Sequence, residues 1–257
     1  MPAIALTIAG SDPSGGAGLQ ADLKTFHQLG VYGEAVVTLI TVQNTRRVSQ
    51  VEILDAGLVG RQMDAVLEDI PPAAAKTGAL GSAAVIEAVA GRVFPGPLVV
   101  DPVMISKHGA PLMDEGARLA LRNSLLPKAF LVTPNLEEAA ELARIEVTCP
   151  EEMREAARRI AGFGPGAVLI KGGHLSGDAV DILYYNGEST EFRSPRAYTP
   201  HTHGTGCTYS AAITACLAKG DPLQQAVNTA KAFITAAIRT NPGFGGGAGP
   251  VNHFTAI

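Results

Sequence analysis

Tryptophan is absent from this 257-residue chain, and aromatic residues of all kinds make up only 5% of it. A folded core must therefore be built mainly from alanine, valine, leucine and isoleucine. Hydrophobic residues are 46% and charged residues 17% of the chain, a balance that favours a packed globular protein over a disordered one. The length corresponds to one large α/β domain or two small ones.

Cysteine, net positive charge and long apolar runs are also scarce. The three cysteines, Cys149, Cys207 and Cys216, fit neither a disulfide framework nor a CxxC spacing. A net charge of −4 gives no electrostatic reason to expect nucleic acid or an anionic membrane as a partner. The chain does not start like a secretory signal, and no apolar stretch is long enough to span a bilayer. We therefore expect a cytoplasmic protein with no nucleic-acid and no membrane partner.

Along most of the chain, short apolar runs alternate with segments in which apolar residues recur at helical spacing. The run over 4–9 leads through a glycine-rich turn into a helix predicted over about 17–29. The next strand is predicted over about 35–42. Residues that favour helix N-caps precede three later helical segments, and they are Asp55, Ser82 and Asp114.

Near the C-terminus the alternation gives way to a hairpin. The dipeptide Asn186-Gly187 between two strand-like segments is a strong signal for a tight β-turn, and helices are predicted over about 205–219 and 222–240. The whole pattern predicts an α/β three-layer αβα sandwich with a mostly parallel central sheet and an antiparallel hairpin near one edge. No repeat or linker interrupts it, so we predict a single domain over 1–257.

One motif match is misleading. The stretch over 16–21 satisfies the dinucleotide fingerprint G-x-G-x-x-G/A. That motif also requires an acidic residue at the end of the second strand, where it binds the ribose. The second predicted strand ends in Gln43-Asn44, and Glu34 lies at its other end. We therefore reject a dinucleotide site.

Polar residues follow five of the predicted strands directly. In a parallel sheet, ligands bind at the carboxyl ends of the strands, so these residues are expected to share one site. They are Gly10-Ser11-Asp12, Gln43-Asn44, Asp101, Asn135 and Lys171.

Several of these residues have a simpler structural interpretation as well. Asp101 can be a Mg²⁺ ligand, direct or through water, or an ordinary cap or turn aspartate. Asn135 can act at the metal and phosphate site or can simply cap a helix, with Glu138 completing a capping box. Lys171 can reach nucleotide phosphates as a point charge. Asp22, on a predicted helix, is either a solvated acid or a partner, with Gln43, for a heterocycle.

The stretch Gly204-Thr205-Gly206-Cys207 lies where a loop should become a helix. A helix start carries backbone N–H groups without internal partners and a partial positive charge, and glycines let that backbone close on an anion. We interpret the stretch as a cradle for phosphoryl charge; a glycine-rich loop before a core helix is the alternative. A helix N-terminus favours thiolate, so Cys207 is a candidate general base, although its backbone N–H alone could be what matters.

Taken together, the motifs resemble those of hydroxymethylpyrimidine/phosphomethylpyrimidine kinases, thiamine-biosynthesis enzymes of the ribokinase-like superfamily. The resemblance covers essentially the whole chain through motifs in the same order. These motifs occupy 9–24, 42–45, 101–104, 133–139, 171–174, 202–208 and 249–254.

The resemblance implies phosphorylation of 4-amino-5-hydroxymethyl-2-methylpyrimidine by ATP, then of its monophosphate to the diphosphate. It also implies Mg²⁺ as cofactor, a ribokinase-like domain and a homodimer. By position, the residues implied to hold the pyrimidine are Gly10, Asp22 and Gln43. Those implied to organise Mg²⁺ and its waters are Asp101, Asn135 and Glu138. Those implied to contact phosphate or form the anion hole are Lys171, Asn135, Gly204, Thr205, Gly206 and Cys207. The loop over 106–110 is similar to the family's flap near the phosphates.

Two positions depart from the wider family. Cys207 stands where many ribokinase-like sugar kinases have an aspartate base. Ala79 stands where many close relatives have a methionine against the substrate ring, which would widen the pocket. Pyridoxal kinase activity is therefore the main alternative. A non-catalytic pyrimidine-binding sensor ranks last, because Asp101, Lys171 and the glycines of the cradle are all retained.

Overall fold

Nine β-strands form one sheet in the computed structural model, which describes residues 1–105, 109, 111–173 and 177–256. In chain order they are β1 (Ile4–Ser11), β2 (Tyr32–Gln43), β3 (Val48–Ile53), β4 (Ala74–Thr77), β5 (Leu98–Val100), β6 (Leu131–Val132), β7 (Ala167–Gly172), β8 (Ala179–Tyr185) and β9 (Glu188–Ser194). Their order across the sheet is β3-β2-β1-β4-β5-β6-β7-β8-β9.

The strands from β2 to β7 in this order are parallel, and the β8–β9 hairpin closes one edge. The predicted mostly parallel sheet with an antiparallel hairpin near one edge is therefore confirmed. The hairpin turns at Asn186 and Gly187, both in the left-handed region, with φ of 52° and 81°. Strand β3, antiparallel to β2 at the other edge, was not predicted. Its sequence VSQVEI neither alternates cleanly nor forms an apolar run, and most of its side chains are exposed.

Eight α-helices cover the two faces of the sheet within the described residues. They are α1 (Gly18–Gln28), α2 (Ala56–Asp69), α3 (Ala83–Ala90), α4 (Glu115–Ala120), α5 (Leu136–Ala143), α6 (Pro150–Ala161), α7 (Thr205–Ala218) and α8 (Leu223–Arg239). One buried apolar cluster joins α1, α7 and α8 to one face, and the other joins α2 to α6 to the opposite face. None of these helices is both long and apolar enough to cross a lipid bilayer.

The predicted helix caps are confirmed. The side chains of Asp55, Ser82 and Asp114 each accept a hydrogen bond from a backbone N–H in the first turn of α2, α3 and α4. These bonds satisfy donors that a helix start leaves without partners. The start of each helix is thereby fixed by its own sequence.

Helix α7 is buried along nearly its whole length. Every residue from Thr208 to Ala218 is buried, and the helix packs against α1, α8 and strands β1, β4 and β5. Small side chains such as Ala211 and Ala215 allow this close packing on all sides. The packing fixes where the N-terminus of α7 lies, beside the carboxyl ends of the central strands.

A buried ion pair ties α1 to the sheet. The Nζ of Lys76 lies 2.9 Å from both carboxylate oxygens of Asp22, and the hydroxyl of Thr7 donates to Asp22 Oδ2 at 2.6 Å. All three side chains are fully buried. Burial raises the pKa of Asp22, whereas the neighbouring Lys76 and Thr7 act to lower it. Each charge therefore depends on the other for its stability in the interior.

We predict that Lys76→Met lowers the free energy of unfolding by ~3–5 kcal/mol, because it leaves a buried carboxylate without its counter-charge. The double variant Lys76→Met/Asp22→Leu should recover a large part of that loss. Urea unfolding followed by circular dichroism measures both. Arg92→Met, which breaks the exposed pair with Asp64, is the control and should unfold close to wild type. A double variant as unstable as the single variant would contradict the pairing argument.

Candidate active site

A cavity of about 700 Å³ lies at the carboxyl ends of the central strands. It brings together nearly all the residues that the sequence placed in one site. The predicted residues that line it are Gly10, Gln43, Ala79, Asp101, Asn135, Glu138, Lys171, Gly204, Thr205, Gly206 and Cys207. A second cavity, of about 770 Å³, lies at the opposite ends of the central strands, where β5 and β6 begin and beside the start of α8, and none of these residues lines it.

Strands β1, β2 and β4 form one side of the active-site cavity. The β1–β2 register shifts between Ala9 and Ser11, so Gly10 lies in a bulge. A Cβ at Gly10 would lie 2.5 Å from Cδ1 of Leu39, so a larger residue there would force the Leu39 side chain to move. The end of β2 supplies Gln43, whose amide can both donate and accept hydrogen bonds.

Ala79 follows β4 on the same side of the cavity. Its carbonyl oxygen accepts a hydrogen bond of 2.6 Å from the hydroxyl of Thr38, which fixes the backbone there. The methyl side chain of Ala79 leaves more room in the cavity than a longer one would.

Strands β5 and β7 place a charged pair in the middle of the cavity. Lys171 Nζ lies 2.8 Å from Asp101 Oδ1, and the hydroxyl of Thr133 donates to the same oxygen at 3.1 Å. Burial alone would raise the pKa of Asp101, but Lys171 and Lys76 outweigh it and hold that pKa below its usual range. Asp101 is therefore ionised at neutral pH, and the lysine beside it stays charged.

The end of β6 leads into α5 through a capping box. Asn135 Oδ1 accepts from the backbone N–H of Glu138 at 2.9 Å, and Glu138 Oε2 accepts from the N–H of Asn135 at 2.8 Å. The capping interpretation is thus confirmed. The box also holds the Glu138 carboxyl against the cavity, where burial raises its pKa to about 7 although Lys171 opposes the shift.

The predicted cradle is the start of α7. Gly204 precedes the first turn in the left-handed region, with φ of 79°, and because glycine has no side chain the helix start is left without a side-chain cap. A Cβ there would collide with the carbonyl oxygen of Gly16. A Cβ at Gly206 would lie 3.4 Å from Lys171 Nζ and 3.7 Å from Asp101 Oδ2. The helix start, with its partial positive charge, therefore faces the charged pair with no side chain between them.

Cys207 does not behave as its helix position suggested. Burial raises the pKa of its thiol to about 12; Lys76 acts against the shift, and Asp22 and Asp101 add to it. The Sγ accepts a hydrogen bond of 3.4 Å from the backbone N–H of Gly18. The expectation that the helix N-terminus favours the thiolate is therefore wrong here, because burial among carboxylates outweighs the helix dipole. The thiol is neutral at physiological pH.

Asp22 is a second correction. It does not line the cavity, its side chain is fully buried, and its two oxygens are taken by Lys76 and Thr7. A direct bond from this carboxylate to a bound heterocycle does not fit that arrangement. Its position on α1 gave no indication that it faces the sheet rather than the cavity.

The sequence did not predict a second charged cluster on the cavity wall. Asp181 Oδ2 accepts from Lys231 Nζ at 2.6 Å and from the hydroxyl of Tyr209 at 3.0 Å, while Oδ1 accepts from the backbone N–H of Gly172 at 3.0 Å. The cluster joins β7, β8, α7 and α8. The available signal was an acidic residue inside the apolar run AVDILYY and a lysine on the apolar face of α8. The predicted flap over 106–110 lies outside the described residues except for Gly109.

Comparison with known proteins gives the family. Residues 12–252 match the model of the family described as phosphomethylpyrimidine kinase. The chain is 46% identical over 259 residues to the hydroxymethylpyrimidine/phosphomethylpyrimidine kinase of Streptomyces coelicolor, a match that covers 100% of this chain and 96% of that protein. It is 51% identical over 255 residues to the thiamine biosynthesis bifunctional protein ThiED of Geobacter sulfurreducens. That match covers 98% of this chain and 52% of the relative, so the chain spans about half of that protein's length.

Solved structures share the fold. An ADP complex of Bacillus subtilis pyridoxal kinase superposes with a TM-score of 0.91 at 40% identity over 98% of each chain. The phosphomethylpyrimidine kinase of Clostridium difficile gives a TM-score of 0.82 at 44% identity, covering 92% of this chain and 99% of that one. The ribokinase-like fold predicted from the sequence is confirmed. With a family model that matches most of its length and relatives this similar, the chain belongs to the phosphomethylpyrimidine kinase family.

Proposed function

We propose that the whole chain, 1–257, acts as a single kinase domain in thiamine biosynthesis. It transfers a phosphoryl group from ATP to the hydroxymethyl group of 4-amino-5-hydroxymethyl-2-methylpyrimidine, and then a second one to the monophosphate. The observation that carries this proposal is the convergence of the α7 cradle, Lys171 and Asp101 in the same cavity as Gly10 and Gln43. Because ATP is an intracellular metabolite, we also propose a cytoplasmic location.

One side of the cavity would bind the acceptor and the other the phosphates of ATP. Gly10, Gln43 and Ala79 would hold the pyrimidine, with the Gln43 amide matched to the ring nitrogens and the exocyclic amino group. Lys171 and the backbone N–H groups at the start of α7 would hold the phosphates of ATP. The acceptor hydroxyl would then lie between the two sides.

The carboxylates of Asp101 and Glu138 fit a magnesium ion that enters with the nucleotide. Within the described residues, no group of three or more His, Cys, Asp or Glu side chains is placed to hold a metal. A pair of carboxylates is what Mg²⁺ commonly uses when phosphates and waters complete its octahedron. Asp101 and Glu138 would hold the ion directly or through water. When bound, it supplies positive charge that neutralises the phosphate oxygens.

The chain's own residues contribute mainly position and charge. Phosphoryl transfer requires little covalent chemistry from the protein, so alignment and electrostatic stabilisation dominate. The cradle amides and Lys171 would stabilise the charge that grows in the transition state, and removing one such preorganised donor typically costs ~2.7–4 kcal/mol. With its pKa raised to about 12, the Cys207 thiol would stay protonated and would not serve as the general base, so this residue would act through its backbone N–H.

We predict that Cys207→Ala keeps turnover within about tenfold of wild type, because a true general base typically contributes about 10²–10⁴-fold. The same protonation state predicts no rise in turnover between pH 6 and 9 from ionisation of this thiol, since its pKa is about 12. Steady-state kinetics of wild type and variant measure both. Cys216→Ala, in the buried core on the same helix, is the control. A thousandfold loss of turnover in Cys207→Ala with unchanged KM would instead identify the thiol as the base.

Pyridoxal kinase activity is the second candidate. Two observations favour it: the small Ala79 in the cavity wall, and the fold shared with the Bacillus subtilis pyridoxal kinase. On this proposal the wider pocket accepts pyridoxal as a secondary substrate. The pyrimidine stays the preferred one, in line with the family.

The function is tested by incubating the protein with Mg-ATP and the hydroxymethylpyrimidine and following the mono- and diphosphate by mass. We expect both products, and a higher kcat/KM for the pyrimidine than for pyridoxal measured in parallel. A higher kcat/KM for pyridoxal would make it the main substrate. ATP binding with no phosphorylated product of either alcohol would instead support a non-catalytic binding protein.

We also propose that the protein is a homodimer. Ile40 and Val42 point to the same face of β2 and are 47% and 52% exposed, next to the open edge strand β3. Exposed apolar side chains beside a free strand edge are commonly covered by association. Light scattering should give twice the mass of one chain for wild type, and Ile40→Glu/Val42→Glu should shift the mass towards one chain. The control is Tyr32→Glu, at the other end of β2, which should stay dimeric. A wild-type monomer at micromolar concentration would contradict this proposal.

A further inference from the structure

A buried pair of side chains connects the two sides of the cavity. His203 Nε2 lies 2.8 Å from Asp12 Oδ2, and the two side chains are 5% and 3% exposed. Asp12 belongs to the glycine-rich turn after β1, on the acceptor side. His203 directly precedes Gly204, on the phosphate side. The sequence resemblance gave neither residue a role.

Asp12 organises the turn that follows β1. Its carboxylate accepts hydrogen bonds from the backbone N–H groups of Ser14, Gly16 and Ala17, at 2.8, 3.2 and 2.9 Å, and from the Ser14 hydroxyl at 2.7 Å. Burial alone would raise the pKa of Asp12, but hydrogen bonds from His203, Gln43 and Ser14 hold it well below its usual range. The carboxylate is therefore charged and fully engaged, and the turn is built around it.

His203 is held equally firmly on its own side. Its backbone N–H donates to the carbonyl oxygen of Gly249 at 3.0 Å, and its carbonyl oxygen accepts from the N–H of Val251 at 3.3 Å. Its ring packs directly against the turn: a Cβ added at Gly16 would lie only 2.6 Å from His203 Cδ2. The turn and the cradle thus meet at three points: the Asp12–His203 pair, the approach of Gly16 to Gly204, and the bond from Gly18 N–H to Cys207 Sγ.

We propose that the Asp12–His203 pair is a positioning contact for phosphoryl transfer. It sets the distance and angle between the acceptor pocket and the α7 cradle, so that the acceptor hydroxyl lies in line with the phosphoryl group. The inference rests on the proposed kinase function and deepens it. Gln43 is held by β2 as well as by its bond to Asp12, and Lys171 is held by β7, so loss of the His203 ring leaves the groups that bind each substrate in place. It changes only how the turn after β1 faces the start of α7.

This arrangement predicts a specific kinetic signature. Displacing reacting groups by about 1 Å can cost about a hundredfold in rate without weakening binding. Loss of a residue that merely supports the fold would instead lower the melting temperature, or lower kcat and raise KM together. The split between kcat and KM therefore separates positioning from support.

The chain provides a matched control. His253 is also a buried histidine near the start of α7, with its Nε2 3.0 Å from the hydroxyl of Thr208. That bond joins the C-terminal tail to α7 and does not join the turn after β1 to the cradle. Removing His253 therefore disturbs the same helix start without breaking the connection between the two sides.

The test compares wild type, His203→Ala, His203→Gln and His253→Ala by steady-state kinetics, with melting temperatures for each. For His203→Ala we expect kcat to fall at least about tenfold, with KM for both substrates within about threefold of wild type. More ADP should also be released per phosphorylated product, because a misaligned acceptor competes poorly with water. His203→Gln, whose amide N–H can still reach Asp12, should recover at least about a third of the wild-type kcat. His253→Ala should lose much less turnover than His203→Ala.

Four results would overturn the proposal: unchanged kcat in His203→Ala, a rise in KM with kcat intact, an equal loss in His253→Ala, or no recovery in a folded His203→Gln. If His203→Ala does not fold, His203→Asn replaces it, since its shorter amide cannot span the same distance to Asp12. Equal turnover in the Asn and Gln variants would then overturn the proposal. All rates are compared with wild type on whichever alcohol, pyrimidine or pyridoxal, wild type phosphorylates. Failure of the pyrimidine as a substrate is thus a separate result from failure of the positioning contact.

Discussion

The site depends on how closely two stretches of backbone approach each other at Gly204. The carbonyl oxygen of Gly16 lies where any side chain at Gly204 would have to be, and the left-handed φ of Gly204 turns the chain into α7 at that point. Packing of α7 on several sides then prevents the helix from sliding. The N-terminus of a rigid, buried helix is thereby held open towards Lys171 and Asp101, with only Gly206 between them. A larger residue at either glycine would close the space that an anion needs.

Lys171, Asp101 and Cys207 are arranged to receive an anion rather than to exchange protons. Burial alone would lower the pKa of Lys171, but Asp101 and Glu138 raise it, so this lysine stays charged. Asp101 is held ionised by its lysine neighbours, whereas burial keeps the thiol of Cys207 neutral. Charges and helix N–H donors that are fixed in advance in this way suit a reaction in which the transferring group carries most of the charge. The chemistry expected of the chain is therefore alignment and neutralisation.

Much of the architecture could be predicted from the sequence, because the local preferences for strand, turn and helix start agreed with the overall fold. The apolar runs marked the central strands, Asn186-Gly187 marked the hairpin, and cap residues such as Ser82 marked helix starts. The rule that ligands bind at the carboxyl ends of parallel strands was enough to bring Asp101 and Lys171 together in advance of the structure. Strand β3 was missed because its stability comes from pairing with β2, and the pattern of apolar residues within its own sequence does not indicate a strand.

The features that the sequence could not give are those set by burial and by contacts distant along the chain. Asp22 turns inward to Lys76, 54 residues away, and Asp12 pairs with His203, 191 residues away. The helix position of Cys207 suggested a thiolate, but the pKa of a thiol is decided by the solvent and charges that surround it in the folded protein. The spacing of residues along the chain predicts neither these distant pairs nor the pKa of the thiol.

The central claim is that the start of α7, Lys171 and Asp101 meet on one phosphoryl group. A crystal structure of the protein with the pyrimidine and a non-hydrolysable ATP analogue in the presence of Mg²⁺ tests it most directly. We expect the terminal phosphate within hydrogen-bond distance of the backbone N–H groups between Gly204 and Cys207 and of Lys171 Nζ. A terminal phosphate bound elsewhere in the cavity, out of reach of those amides, would contradict it.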